Sequence, residues 1–142
     1  MVAETGSAPR KVLFSCTHNS ARSQMAEGLL RDLAEDRLEA YSAGTEATAV
    51  REEAIIVTSE VGVDLSGAES ETLGRYLEGD FEYVITVCDE ANESCPIFPG
   101  ARNRLHWSFP DPSKASGGQE ERLEVYRVAR DDIGARILED LL

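Results

Sequence analysis

A short apolar run that leads into a cysteine, a polar loop and a helical pattern limits the possible folds of this chain most. Residues 12–14 are Val-Leu-Phe, Cys16 follows after one serine, and five residues separate it from Arg22. A five-residue loop between a strand and a helix can turn its backbone N–H groups around one tetrahedral anion. The pattern therefore predicts a strand–loop–helix unit that binds an oxyanion.

The side chains of this loop have distinct predicted roles. Cys16 is a candidate nucleophile, and the planar guanidinium of Arg22 can bind two oxygens of an anion. Ser23 can stabilise the thiolate of Cys16 with its hydroxyl. The alternatives are that Cys16 is a buried core cysteine and that Ser23 only helps to start the helix. The predicted oxyanion-binding residues are Thr17, His18, Asn19, Ser20, Ala21 and Arg22.

The length and composition predict one domain. The chain has 142 residues, of which 42% are hydrophobic, enough to bury a core. We predict a flexible tail at residues 1–10 and a single domain at 11–142. No run is long and apolar enough to cross a membrane, and residues 1–10 lack the apolar centre of a signal peptide. A cytoplasmic protein is expected, with three cysteines that serve chemistry rather than structural disulfides.

The charge of the chain limits its partners. The formal net charge is −13, which disfavours nucleic acids and anionic membranes. An anionic substrate must therefore be bound by the local positive field of the loop and Arg22. The chain has two lysines and twelve arginines, and this acidic, lysine-poor composition suggests adaptation to high salt. We expect a monomer.

Apolar runs alternate with helical patterns along the chain. Strands are predicted at 11–15, 39–42, 83–87 and 104–109, and helices at 22–35, 51–60, 71–77 and 119–140. This alternation predicts an α/β fold with a parallel sheet. Cys16, Cys88 and Asp111 each follow a predicted strand, so right-handed crossovers bring them to one carboxyl edge.

Two further cysteines follow the third predicted strand. Cys88 comes directly after it, and Cys95 follows seven residues later, before Pro96. The polar residues between them suggest a mobile loop that could bring one thiol to the other. Alternatively, Cys88 is a buried strand-end thiol and Cys95 is incidental. Because C-x6-C is an unusual zinc spacing and the chain has only two histidines, no metal site is predicted.

Asp111 is the candidate proton donor. Pro110 and Pro112 flank it and fix a loop after the fourth predicted strand. A carboxyl group held there can protonate a leaving oxygen. The alternative is an ordinary Asp-Pro turn without a catalytic role.

Four motifs in order resemble one known family. Residues 16–28, CTHNSARSQMAEG, resemble the low-molecular-weight protein tyrosine phosphatase superfamily, and within it the thioredoxin-coupled arsenate reductases. The other matches are YSAGT at 41–45, Val87-Cys88 with Cys95-Pro96, and His106-Trp107 before Asp111-Pro112. The resemblance implies a single three-layer α/β/α domain with a four-stranded parallel sheet.

The resemblance also implies a thiol–disulfide relay that converts arsenate to arsenite in arsenic detoxification. Cys16 would attack arsenate while Asp111 protonates the departing oxygen. Cys88 would then attack Cys16 and release arsenite, and Cys95 would attack Cys88. A thioredoxin-like partner would restore the dithiol, so no bound organic cofactor is expected.

Two other functions fit some of the same residues. A low-molecular-weight protein tyrosine phosphatase would use Cys16, Arg22 and Asp111 and would need neither Cys88 nor Cys95. A redox-sensing or arsenite-binding module would use the three thiols and would not need Arg22 or Asp111.

Overall fold

The strand that carries Cys16 lies in the middle of the sheet. The computed structural model describes residues 10–16, 21–34, 37–46, 48–76, 79–88 and 101–142. In this part of the chain four parallel strands form one sheet in the order β2-β1-β3-β4. The strands are β1 (Arg10–Cys16), β2 (Leu38–Gly44), β3 (Tyr83–Thr86) and β4 (Asn103–His106). The α-helices are α1 (Arg22–Ala34), α2 (Glu52–Ser59) and α3 (Gln119–Asp140).

Alternation along β1 divides the interior into two parts. Val12, Phe14 and Cys16 belong to the large core on the side of the three α-helices, whereas Leu13 belongs to a smaller core on the opposite face. All four residues are buried, as expected for a parallel strand covered on both faces. The predicted parallel α/β sheet is thus confirmed.

The large core fixes the helices on the sheet. Met25 of α1, Val57 of α2 and Ile133 of α3 are fully buried in it. Phe14 and Trp107 contact each other with ring centroids 5.9 Å apart. Because α1 follows β1 directly and packs on the same core, its first turn is held at the carboxyl end of the sheet.

The opposite face is covered by a short helix and a group of aromatic rings. The segment predicted as a helix at 71–77 forms a 3-10 helix, Leu73–Tyr76, in the described residues. Gly74 lies inside it, and the N–H of Gly79 bonds back to the carbonyl of Tyr76 at 2.9 Å. An α-helix is disfavoured there because glycine weakens helices and the segment is short. Tyr76 packs with Phe81 over the smaller core.

The fourth strand ends earlier than predicted. The N–H of Trp107 makes the last bond to β3, to the carbonyl of Thr86 at 2.8 Å. Pro110 lacks an N–H group and cannot extend the ladder. The chain instead turns inward, burying Trp107 and Phe109 in the large core, and then forms a second 3-10 helix, Pro112–Lys114. This turn brings residues 109–113 over the carboxyl end of β1.

The described residues include only the end of the predicted N-terminal tail. Arg10, the last residue of the predicted tail, pairs with Leu38 at the start of the sheet, and residues 1–9 lie outside the described part. The described helices are all too short or too polar to cross a bilayer.

Candidate active site

Cys16 is the last residue of β1, at the carboxyl edge of the sheet. Its side chain is almost fully buried, and its Sγ lies 2.9 Å from the Oγ of Ser23, in the first turn of α1. The cysteine is a reduced thiol. Its carbonyl accepts a 3.2 Å hydrogen bond from the N–H of Thr45, which anchors this end of the strand. A hydroxyl at this distance can donate to a thiolate and stabilise its charge.

Arg22 joins the start of α1 to the segment after β4. Its side chain is only 4% exposed. Nη1 donates a 3.1 Å hydrogen bond to the carbonyl of Phe109, and Nη2 lies 3.7 Å from Oδ2 of Asp111. The guanidinium of Arg22, six positions after Cys16 in the sequence, is thereby held in one orientation beside Asp111. A buried arginine in this position provides the positive charge that an oxyanion needs in an otherwise acidic protein.

Asp111 caps the 3-10 helix Pro112–Lys114. Its Oδ1 accepts hydrogen bonds from the N–H of Ser113 at 2.9 Å and from the hydroxyl of Ser113 at 2.7 Å. The Asp111 side chain is 15% exposed and therefore retains some access to solvent. The carboxyl group is held by the residue two positions later and directed toward Arg22.

Cys88 lies two residues after β3 and is fully buried. It is in a disulfide. The N–H of Val87 bonds to the carbonyl of Ser15 at 3.0 Å, which continues the pairing of the two strands up to their cysteines. Cys16 and Cys88 therefore follow neighbouring strands at the same edge.

The structure brings part of the predicted set together. Ala21, Arg22, Ser23, Asp111 and Cys88 lie with Cys16 at the carboxyl edge of the sheet. The predicted residues that lie outside the described part are Thr17, His18, Asn19, Ser20 and Cys95.

Two further groups at this edge, Ser113 and the carbonyl of Phe109, are not among the predicted site residues. Ser113 has a recognisable signal, because a serine two residues after an aspartate often bonds to its carboxylate in a turn. The carbonyl of Phe109 has no recognisable signal in the sequence, because every residue type has the same backbone acceptor.

His106, on β4, contacts the side chain of Thr86 on the neighbouring strand β3. Nδ1 of His106 lies 2.6 Å from Oγ1 of Thr86, and His106 is exposed. Within the described ranges, no three His, Cys, Asp or Glu side chains are grouped so that they could hold a metal ion.

A polar cavity of about 460 Å³ lies beside α1 and β2. Glu27 lines it and accepts hydrogen bonds from the hydroxyl of Ser42 and from Arg31, both at 2.6 Å. Tyr76 donates to Glu71 at 2.6 Å, and burial, together with this bond, raises the pKa of Tyr76 well above its ordinary value. The pair of Glu27 and Ser42 ties α1 to β2, and the pair of Glu71 and Tyr76 holds the 3-10 helix that covers the smaller core.

The family of the chain follows from a comparison that covers nearly all of it. The family model described as low molecular weight phosphotyrosine protein phosphatase matches residues 11–138. The chain belongs to this family. The predicted resemblance to the low molecular weight phosphotyrosine protein phosphatases is confirmed.

Within this family, the chain is similar to several arsenate reductases. An arsenate reductase of Shouchella clausii is 44% identical over 126 residues, which are 89% of this chain and 91% of that protein. A solved arsenate reductase in the phosphate binding state has a TM-score of 0.79 at 32% identity, covering 92% of this chain and 95% of its own. A thioredoxin-dependent arsenate reductase of Corynebacterium glutamicum has a TM-score of 0.64 at 29% identity. The match covers 94% of this chain and 64% of that protein. The chain thus groups with the oxidoreductases of this family.

Proposed function

We propose that this protein reduces arsenate to arsenite through a relay of Cys16, Cys88 and Cys95 that a thioredoxin-like protein regenerates. The observation that carries the proposal is the contact between Arg22 and Asp111, 3.7 Å apart, at the sheet edge where Cys16 ends β1 and Cys88 follows β3. Cys95 lies outside the described residues.

The first step forms a bond between sulfur and arsenic. The thiolate of Cys16 attacks arsenate, and the bond from arsenic to one oxygen breaks. Asp111 gives its proton to that oxygen, which leaves as water. Arg22 stabilises the charge on the remaining oxygens. The hydroxyl of Ser23 stabilises the thiolate before the attack.

The second and third steps move electrons through sulfur. The thiolate of Cys88 attacks Cys16, a disulfide forms, and the electron pair of the sulfur–arsenic bond reduces arsenic(V) to arsenic(III), which leaves as arsenite. The thiolate of Cys95 then attacks Cys88 and releases Cys16 as a thiolate. A dithiol partner reduces the second disulfide. A disulfide at Cys88 together with a reduced Cys16, as in this structure, is the state that the third step would leave.

The activities of similar proteins support arsenate as the proposed substrate and a thioredoxin-like protein as the proposed reductant. The curated relative that is 44% identical is an arsenate reductase, and a solved neighbour is a thioredoxin-dependent one. A relay of thiols needs a reducing compartment, so we propose that the protein acts in the cytoplasm. We also propose that it works as a monomer, with no bound organic cofactor and no metal.

The second candidate is hydrolysis of a phosphate monoester. The family of the chain favours it, and Cys16, Arg22 and Asp111 suffice for it. Water would then hydrolyse a phosphate bound to Cys16, and Cys88 and Cys95 would have no role.

Arsenate-dependent oxidation of NADPH, coupled through thioredoxin and thioredoxin reductase, tests the proposal. We expect turnover in the wild type and its loss in Cys88→Ser and in Cys95→Ser, with Ser116→Ala as the exposed control on the loop before α3. Turnover that survives in Cys95→Ser would contradict the third step. No arsenate-dependent oxidation, together with aryl phosphate hydrolysis that is the same in both cysteine variants, would favour the phosphatase.

A further inference from the structure

The two oxygens of the Asp111 carboxyl group have different surroundings. Oδ1 accepts two hydrogen bonds from Ser113, at 2.9 Å from its N–H and at 2.7 Å from its hydroxyl. Oδ2 has Nη2 of Arg22 as its charged neighbour at 3.7 Å, longer than a hydrogen bond. Arg22 is itself held by the carbonyl of Phe109 at 3.1 Å. Rotation of the carboxyl group would break both bonds from Ser113.

This asymmetry determines where a proton on the carboxyl group lies. A protonated carboxyl oxygen is a weak acceptor, so a proton on Oδ1 would weaken two hydrogen bonds at once. A proton on Oδ2 leaves both intact. The proton is therefore carried by the oxygen on the Arg22 side, where an oxyanion held by Arg22 would also lie. When that proton leaves, the bonds from Ser113 become charge-assisted and stronger.

We propose that Ser113 is a positioning residue for proton transfer, which fixes the Asp111 carboxyl group with its proton on Oδ2. The proposal rests on the proposed function, in which Asp111 protonates the oxygen that leaves arsenate. The side chain of Ser113 bonds to the Asp111 carboxyl group and is given no contact with the substrate in this proposal. It acts only through Asp111.

The hydroxyl of Ser113 can be tested apart from its backbone. The N–H donates to Asp111 whichever side chain is present, so substitutions affect one of the two bonds. Threonine keeps the hydroxyl, and valine has the same shape without it. The pair Ser113→Thr and Ser113→Val therefore differs only in the hydrogen bond to Oδ1. Ser116→Ala removes an exposed serine three residues later and is the control.

The rate of the first turnover is the measurement. Reduced enzyme is mixed with saturating arsenate in the absence of thioredoxin, and the loss of thiols is followed over time. We expect Ser113→Val to be about tenfold slower than wild type, a part of the ~10²- to 10⁴-fold that a general acid contributes. Ser113→Thr should retain at least about half of the rate. Equal rates for the two variants would overturn the proposal.

The same variants in an Asp111→Asn background separate positioning from a structural role. If Ser113 acts through Asp111, then Ser113→Val has no further effect once Asp111→Asn is present. A tenfold loss in both backgrounds would overturn the proposal, because it would show an effect independent of the carboxyl group. An Asp111→Asn variant with the wild-type rate would instead contradict the proposed role of Asp111. Because Asp111→Asn alone shows that result, a failure of the proposed function can be distinguished from a failure of the proposal about Ser113.

Discussion

The Oγ of Ser23 lies 2.9 Å from the Sγ of Cys16, although the two residues are seven positions apart and belong to different elements. Both side chains are buried, so water has little access to this contact. A hydrogen bond in such surroundings is stronger than one exposed to solvent. The contact therefore links the first turn of α1 to the proposed nucleophile.

Replacement of Ser23 by alanine should slow the attack of Cys16 on arsenate. The variant removes a donor to the thiolate, and a hydrogen bond to a charged group contributes about 1.5–3 kcal/mol. We expect the single-turnover loss of thiols at neutral pH to be at least about tenfold slower. Ser59→Ala, an exposed serine at the end of α2, should leave the rate unchanged. A Ser23→Ala variant as fast as the wild type would show that the hydroxyl does not stabilise the thiolate.

Replacement of Arg22 by lysine should weaken oxyanion binding although the charge is kept. Lysine cannot both donate to the carbonyl of Phe109 and present two parallel donors to an anion. We expect kcat/KM for arsenate to fall by about 100-fold or more, as for the loss of a donor to a developing oxyanion. Competitive inhibition by phosphate measures binding separately and should weaken as well. The control is Arg104→Lys on the exposed side of β4, and wild-type inhibition by phosphate in Arg22→Lys would contradict this role.

The helices and the sheet could be predicted from the sequence because periodicity and turn residues encode them locally. The predicted helix at 119–140 coincides with α3, and Met25 and Leu29, one helical turn apart on α1, both lie in the core. The position of Cys16 at the end of a parallel strand followed from the same patterns. Where the pattern was short, as at 71–77, the local preference was too weak to distinguish an α-helix from a 3-10 helix.

The contacts that orient the site were harder to predict. The bond from Arg22 to the carbonyl of Phe109 spans 87 positions and depends on how the chain turns after β4. That turn follows from the burial of Trp107 and Phe109 together, which is a property of packing rather than of local sequence. The topology of the sheet indicated only that Asp111 and Cys16 share an edge.

Two glycine substitutions should have opposite effects on stability. A Cβ at Gly28 of α1 would lie 2.8 Å from Cδ2 of Leu65 and 3.0 Å from Cγ1 of Val63, whereas a Cβ at Gly134 of α3 would meet nothing within 4 Å. Gly134→Ala should stabilise the fold by about 0.5–1 kcal/mol, because alanine is the better helix former. Gly28→Ala gains the same preference, but overpacking costs about 1–3 kcal/mol, so we expect net destabilisation.

Urea unfolding followed by circular dichroism measures both variants under one set of conditions. The two substitutions are identical in chemistry and differ only in their surroundings, so each is the control for the other. Stabilisation of Gly28→Ala by as much as Gly134→Ala would show that Leu65 and Val63 move aside at no cost.

Glu60 connects α2 to α3 through two arginines. Its carboxylate accepts hydrogen bonds from Arg127 at 2.9 and 3.0 Å and from Arg130 at 2.9 Å, and Arg130 also donates to the carbonyl of Val57 at 2.8 Å. The bonds from Arg127, followed by the one from Arg130, hold the pKa of Glu60 below its ordinary value. The arginines also offset the unfavourable position of a carboxylate at the C-terminal end of α2.

The stabilisation by Glu60 should therefore depend on pH in a defined direction. A carboxyl group whose pKa is lower in the folded state stabilises the fold above the unfolded pKa, and this contribution disappears as the pH falls through the folded pKa. We expect Glu60→Gln to lower Tm at pH 7 and to have little effect near pH 3. Because the pair is partly exposed, 0.5 M KCl should also reduce the difference at pH 7. Glu139→Gln, an exposed residue near the end of α3, should show no such dependence, and a constant Tm difference for Glu60→Gln from pH 3 to pH 7 would contradict the ion-pair explanation.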